Sequence, residues 1–79
     1  MVTIMGGTDG PRLRYMYVVD EITQRIQSGE YTPGRRLPPE KDLAAELGVA
    51  YMTVRRAMEI LRDRGLVITV WGLGTFVKH

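Results

Sequence analysis

The sequence predicts one small, mainly α-helical domain that closes with a β-hairpin. Apolar residues recur at three- and four-residue spacing in three separate stretches, which is the pattern of amphipathic helices. A β-branched run follows these stretches and turns back on itself at glycines. The chain has 79 residues, which suits a single domain. We expect this domain to span residues 12–79 and to follow a flexible N-terminal tail over residues 1–11, where glycine and proline are frequent and no apolar period exists.

The first helix is predicted from about Arg14 to just before Gly29. Its apolar residues share one side, and polar residues fill the other. The apolar positions are Tyr15, Val18, Val19, Ile22 and Ile26. Gly29 is typical of a helix end, and Pro33-Gly34 predicts a turn. Residues 35–37 precede two prolines, so a short extended piece there could pair with the later hairpin.

Two further helices are predicted, with a tight turn between them. Pro38, Pro39 and Glu40 suit a first helical turn, because proline needs no amide partner there and an acid favours the helix dipole. The apolar positions of this second helix, which ends at Gly48, are Leu43, Ala44 and Leu47. The third helix begins near Tyr51. Its apolar positions are Val54, Ala57, Met58 and Leu61.

The last segment predicts two strands. Residues 66–70 are β-branched and apolar, residues 71–74 form a tight turn, and residues 75–77 return. Two helices joined by a tight turn form a helix-turn-helix, and a hairpin directly after them is a wing. The predicted fold is therefore a winged helix-turn-helix, with three helices and a wing sheet of two or three strands.

The composition argues against several classes of protein. The chain has no cysteine, so disulfides and thiolate zinc sites are absent. Its only histidine, His79, is the last residue, and we expect it to be a frayed end rather than a ligand. No histidine–acid–nucleophile set, acid pair that suggests a site, or metal cluster occurs, so we expect no enzyme, catalytic residue, metal, cofactor or small-molecule site.

Charge and hydropathy suggest where the chain acts. The formal net charge is +2 and the pI is about 9.3, which permits nucleic-acid binding without requiring it. No apolar run is long enough to cross a membrane, and the first residues do not resemble a signal peptide. We therefore expect a cytoplasmic protein that makes no membrane contact.

The residues resemble the GntR-type bacterial transcription regulators from about Tyr15 to Val77. The matching stretches, in order, are GEYTPGRRLP at 29–38, residues 40–44, 48–49, TVRRA at 53–57 with Leu61, residues 65–67, and GLGTFV at 72–77. The resemblance implies a sequence-specific DNA-binding transcription regulator, a repressor that binds an inverted-repeat operator through its recognition helix and wing. The implied partners are double-stranded operator DNA and a second copy of the chain, as a homodimer on the DNA.

We expect DNA contacts from three segments. The start of the third helix would enter the major groove, and basic residues near the start of the second helix would contact the DNA backbone. The resemblance also implies a wing tip in or beside the minor groove, where glycines allow close approach. The candidate DNA-binding residues are Arg35, Arg36, Lys41, Tyr51, Met52, Thr53, Arg55, Arg56, Trp71, Gly72, Leu73 and Gly74.

Arg55 is the strongest candidate in this set. Arginine can form two hydrogen bonds to guanine or to a phosphate, and the resemblance places a DNA contact at this position. The alternative is a solvated arginine on the helix surface. Thr53 could contact a phosphate or a thymine methyl, or bond back to its own helix.

Three positions depart from the family pattern. Relatives usually carry arginine at position 51, serine or threonine at 50 and a small residue, often serine, at 39; here they are Tyr51, Ala50 and Pro39. Tyr51 could contact a phosphate, a sugar or a thymine methyl, or pack sideways on the domain. Ala50 lacks the side-chain oxygen that caps a helix. Pro39 has neither a hydroxyl nor an N–H to offer a phosphate.

The wing tip and the basic residues before the third helix can each be interpreted in two ways. Trp71 could pack on a sugar or brace the hairpin, and the usual burial of tryptophan favours bracing. Arg35, Arg36 and Lys41 could contact DNA or be solvated charges. The alternative function is a winged helix that serves as a protein-interaction or dimerisation module without specific DNA binding, since a fold does not fix a function.

Overall fold

A computed structural model describes the backbone of residues 6–79 and the side chains of residues 13–79. Three helices precede two strands. Their bounds are α1 (Gly6–Gln27), α2 (Glu40–Leu47), α3 (Tyr51–Asp63), β1 (Val67–Val70) and β2 (Gly74–Val77). α3 packs against α1, α2 and β1, so it is the central element. This order confirms the predicted fold of three helices and a wing.

α1 begins earlier than the apolar pattern indicates. Residues 6–11, which we expected in a flexible tail, form the first turns of this helix. The apolar pattern starts only near Arg14 because it marks the residues that pack against the rest of the domain, not the full length of the helix. A helix can continue beyond its packed face, since each added residue contributes one more backbone hydrogen bond. Residues 1–5 of the expected tail lie outside the described residues.

The core lies where α1 and α3 meet above the base of the hairpin. The apolar stripes predicted from spacing supply most of it, which confirms that the three stretches are helical. α2 begins only at Glu40, with Pro39 as an extended N-cap, so the expectation that Pro38 and Pro39 belong to its first turn is wrong. The buried members of the three stripes are Val18, Val19, Ile22, Leu43, Ala44, Val54, Ala57, Met58 and Leu61. Val67 and Val77, which pair across the hairpin, close the core from below. Tyr31 and Leu37, from the segment between α1 and α2, are buried as well.

A tight turn joins α2 to α3. Gly48 ends α2 with a φ of 69°, a left-handed conformation that favours glycine, and its N–H donates to the carbonyl of Ala44. Ala50 follows with an extended backbone as the N-cap of α3. The third helix therefore begins at Tyr51, as predicted, and residues 48–50 set its direction.

The wing sheet has two strands and one additional bridge. β1 and β2 are antiparallel, with Val70 opposite Gly74 as the last pair before the turn. Arg36 forms an isolated antiparallel bridge to Phe76. The N–H of Leu37 donates to the carbonyl of Thr75 at 2.8 Å. The short extended piece expected over residues 35–37 therefore does pair with the hairpin.

A side-chain contact fixes the wing to α3. Nη1 of Arg62 donates to Oγ1 of Thr69 at 3.0 Å. That hydroxyl lies 3.4 Å from the hydroxyl of Thr75 on the opposite strand. This exposed link joins α3 to β1 directly and to β2 through the contact between the two threonine hydroxyls.

Arg25 ties α1 to α2. Its Nη2 lies 2.7 Å from Oε2 of Glu46, its Nη1 donates to the hydroxyl of Tyr31 at 2.9 Å, and its Nε donates to Glu21 at 3.1 Å. Hydrogen bonding to Glu46, and then to Tyr31, raises the pKa of Arg25 above its ordinary value. The polar side of α1 therefore also contributes to the packing of the helices.

His79 lies against the turn at Gly34. A Cβ on Gly34 would come within 2.7 Å of Nε2 of His79, so the ring occupies the space that the glycine leaves open. This position differs from the frayed end that we expected, although the residue stays exposed. Within residues 6–79, no helix combines the length and apolarity that crossing a membrane would require.

Candidate nucleic-acid interface

A groove of about 600 Å³ lies between the start of α2, the start of α3 and β2. Four of the predicted DNA-binding residues line it, and they come from three different parts of the chain. They are Arg36, Lys41, Tyr51 and Gly74. The turn between α2 and α3 and the bridge at Arg36 hold these parts together. The fold thus gathers side chains that are up to 38 positions apart, from residue 36 to residue 74, on one surface.

The first turn of α3 presents side chains to solvent. Met52 is 67% exposed and Tyr51 is 46% exposed, whereas Thr53 is half-buried. Val54 and Met58 are fully buried and anchor this turn in the core. The start of the helix is therefore a rigid, exposed element of the kind that enters a DNA groove.

Arg55 lies at the edge of the groove. Its Nε is 3.9 Å from Oε1 of Glu40, and its guanidinium lies 5.9 Å from the centre of the Tyr51 ring. The distance to Glu40 is too long for a hydrogen bond. Arg55 therefore has charged and aromatic neighbours but keeps its hydrogen-bond donors available for another partner.

The wing tip is apolar and exposed. Trp71 is 97% exposed, so the expectation that it braces the hairpin is wrong. The strand pairing ends at Val70 and Gly74, and residues 71–73 project beyond it with no second layer to pack on. Leu73 is exposed at the same tip. Gly72 completes the turn with a φ of 79°.

The two arginines before α2 differ in position. The guanidinium of Arg36 lies across the wing, because a Cβ on Gly74 would come within 2.8 Å of its Nε. Arg35 instead donates from Nη1 to the carbonyl of Glu30 at 2.8 Å and lies 5.2 Å from the ring of Tyr31. Arg36 therefore belongs to the groove, and Arg35 belongs to the loop after α1.

Arg56 points toward α1. Its Nη1 donates to Oε1 of Glu59 at 3.0 Å, and its guanidinium lies 5.5 Å from the ring of Tyr15. The hydrogen bond to Glu59 raises the pKa of Arg56. Among the predicted residues on α3, Arg56 is therefore the one whose contacts lie away from the groove.

The charges within the wing segment itself are of one sign. Residues 64–79 include Arg64 and Lys78 and contain no aspartate or glutamate. Arg36 adds a further positive charge over the wing backbone. A polyanion could approach this side of the domain without meeting a carboxylate from the wing.

A family model described as bacterial regulatory proteins, gntR family, matches residues 14–77. The chain belongs to this family. The match covers α1 from its apolar stretch onward, both later helices and the whole wing. It confirms the resemblance inferred from the sequence motifs.

Curated relatives of this gntR-family chain are regulators. The histidine utilization repressor of Pseudomonas putida is 40% identical over 79 residues, which is all of this chain and 31% of that protein. The HTH-type transcriptional repressor NagR of Bacillus subtilis is 36% identical over 64 residues, 81% of this chain and 26% of that protein. The chain spans less than a third of the length of the curated relatives that it matches.

Solved structures of the family share the fold. The DNA-binding domain of AraR, in complex with operator ORR3, superposes with a TM-score of 0.77 at 38% identity, over 81% of this chain and 77% of that one. A GntR family transcriptional regulator from Listeria monocytogenes gives a TM-score of 0.78 at 31% identity, over 81% of this chain and 56% of that one. These likenesses confirm the winged-helix architecture.

Two charged residues at the groove and the adjoining wing were not among the predicted DNA-binding residues. Glu40 lines the groove and neighbours Arg55, and Arg62 holds the wing. Arg62 could have been found, because it lies seven positions after Arg55 and therefore on the same helix face. The sequence did not indicate that Glu40 belongs to the groove, since an acid in the first turn of a helix is common.

Ala50 leaves the start of α3 without a side-chain cap. It occupies the N-cap with a φ of −69° and a ψ of 150°, and no side-chain hydrogen bond is made there. Ala50→Ser is expected to stabilise the fold by about 1 kcal/mol, since the hydroxyl can accept from an unpaired N–H of the first turn. Thermal unfolding followed by circular dichroism should show a melting temperature about 4–8 °C higher.

Ala45→Ser is the matched control for this change. Ala45 is exposed in the interior of α2, where serine has no free N–H to cap. There serine is expected to lower stability by up to about 0.7 kcal/mol, since its helix propensity is below that of alanine. Equal melting temperatures for the two variants would contradict the capping account.

Proposed function

We propose that this chain is the sequence-specific DNA-binding domain of a bacterial transcription regulator, formed by residues 12–79. The observation that carries the proposal is the exposed, rigid start of α3 beside a basic groove, in a fold shared with the AraR domain that was solved on operator DNA. A recognition helix must present its first turn in this way to reach base edges.

In this proposal the exposed residues have separate roles. Arg55 reads a base edge, and Thr53, Met52 and Tyr51 contact sugar, phosphate or a thymine methyl. Arg36 and Lys41 contact phosphates from the groove. At the wing tip, Trp71, Gly72, Leu73 and Gly74 meet the minor groove. Arg35 and Arg56 add positive charge from outside the groove, and we expect them to contribute less.

We further propose how the regulator acts. The names of two relatives call them repressors, which supports repression by this chain. Binding to an inverted repeat would bring two copies together as a homodimer, since the symmetry of an operator mirrors that of its protein. Such a protein works in the cytoplasm, where bacterial DNA lies, and its activity is binding rather than catalysis.

Titration with mixed-sequence duplex DNA tests this function. If about three to four basic side chains each neutralise one phosphate, affinity should fall about 40- to 150-fold between 50 and 200 mM salt. The chain has one tryptophan, and Trp71 is almost fully exposed, so its emission should change as the wing meets DNA. Absence of binding at high protein concentration, or binding that salt does not change, would contradict the proposal.

One observation favours a second candidate function. The wing exposes Ile68, Val70, Trp71 and Leu73, an apolar group that could meet a second copy of the chain and serve dimerisation. In that case the Trp71 emission would be unaffected by DNA and would change with protein concentration instead. The same titration, repeated without DNA over a range of protein concentrations, separates the two functions.

A further inference from the structure

Glu40 places a carboxylate where DNA is proposed to bind. It is the one acidic residue among those lining the groove within the described chain, beside Arg36 and Lys41. Its Oε1 lies 3.9 Å from Nε of Arg55. The side chain of Glu40 is 25% exposed and that of Arg55 is 55% exposed, so the acid is the more enclosed partner of the two.

A carboxylate here should oppose binding to any duplex. Two like charges at about 4 Å in water repel strongly enough to change an equilibrium about fivefold. Stabilisation of α2 does not require Glu40 in particular, because Asp42 places a second acid in the same first turn. If the groove binds DNA, the carboxylate of Glu40 therefore has a role other than attracting the duplex or stabilising α2.

We propose that Glu40 is a positioning and specificity-determining residue that acts through Arg55; this inference rests on the proposed DNA-binding function. The carboxylate neighbours Nε and leaves the two terminal amino groups of Arg55 free for a forked contact with guanine. It also reduces the attraction of Arg55 for phosphates of any sequence. Both effects favour the preferred duplex over all others.

The test compares two duplexes of equal length and composition. One is the preferred sequence, selected by the wild-type chain from random DNA, and the other is its scrambled version. Glu40→Gln is expected to bind the scrambled duplex about fivefold more tightly and to lower the ratio of the two affinities about five- to tenfold. Glu40→Asp keeps the charge but shortens the reach, so the ratio should fall with little change in scrambled binding.

Asp42→Asn is the matched control. Asp42 is exposed in the same turn and lies outside the groove lining, so its loss should leave the ratio of affinities unchanged. In an Arg55→Ala background, Glu40→Gln should also leave the ratio unchanged, which a purely structural role of Glu40 would not predict. Melting curves of each variant establish that it is folded before binding is measured.

The outcomes separate this inference from the proposed function. A wild-type chain that does not discriminate between the duplexes overturns both. A wild-type chain that discriminates, together with a Glu40→Gln variant whose ratio equals that of the wild type, overturns the role of Glu40 alone. A ratio that falls equally with and without Arg55 also overturns it, because the effect then does not pass through Arg55.

Discussion

Arg55→Ala is expected to weaken binding of the preferred duplex by about 5- to 150-fold, since a forked arginine–guanine contact is worth about 1–3 kcal/mol. Binding to scrambled duplexes should change far less, so base preference at the contacted position should relax. The melting temperature should stay near that of the wild type, because the side chain is 55% exposed and its contacts, the long one to Glu40 and the one to the Tyr51 ring, both lie at the surface. Affinity measured on both duplexes, with melting curves, checks this.

Arg64→Ala is the matched control for Arg55→Ala. Arg64 is an exposed arginine just after the opposite end of α3, so its loss removes the same charge far from the groove. We expect it to lower affinity for both duplexes slightly and equally. If the two variants behaved alike, Arg55 would act as a general positive charge and not as a reader of a base.

The helical part of the fold could be predicted from the sequence because burial follows spacing. On α3 the four apolar positions three and four residues apart, from Val54 to Leu61, are the four that the structure buries. Tyr31 and Leu37 are equally buried, yet they lie in a connecting segment without a period. The ion pair between Arg25 and Glu46 could not be predicted either, since Glu46 lies 21 positions away on another helix.

The candidate site was less predictable than the scaffold. Spacing places Tyr51, Met52 and Arg55 outside the core, but it does not say that Arg56 turns toward Tyr15 and Glu59. Tryptophan is usually buried, and that general tendency gave the wrong position for Trp71. The register of the hairpin decides its exposure, because the tip lies beyond the last strand pair and has no neighbouring layer.

Leu61→Ala is expected to cost about 2–5 kcal/mol of the free energy of unfolding, since it removes a fully buried side chain from the central helix. A domain of this size has about 4–12 kcal/mol in total, so the loss ranges from about a sixth of its stability to all of it. Urea denaturation should show a lower midpoint. DNA binding by the folded fraction should be retained, because Leu61 lies in the core and far along α3 from its first turn.

Leu73→Ala makes the same chemical change at the wing tip and should give the opposite result. Leu73 is 59% exposed, so its loss should change stability by no more than about 0.5 kcal/mol. Affinity for DNA should fall, since Leu73 lies beside Trp71 on the surface proposed to meet the minor groove. If Leu73→Ala destabilised the fold as much as Leu61→Ala, the wing tip would have to be packed in solution. If it left DNA affinity unchanged, the wing would not be part of the interface, and binding would depend on α3 and the groove alone.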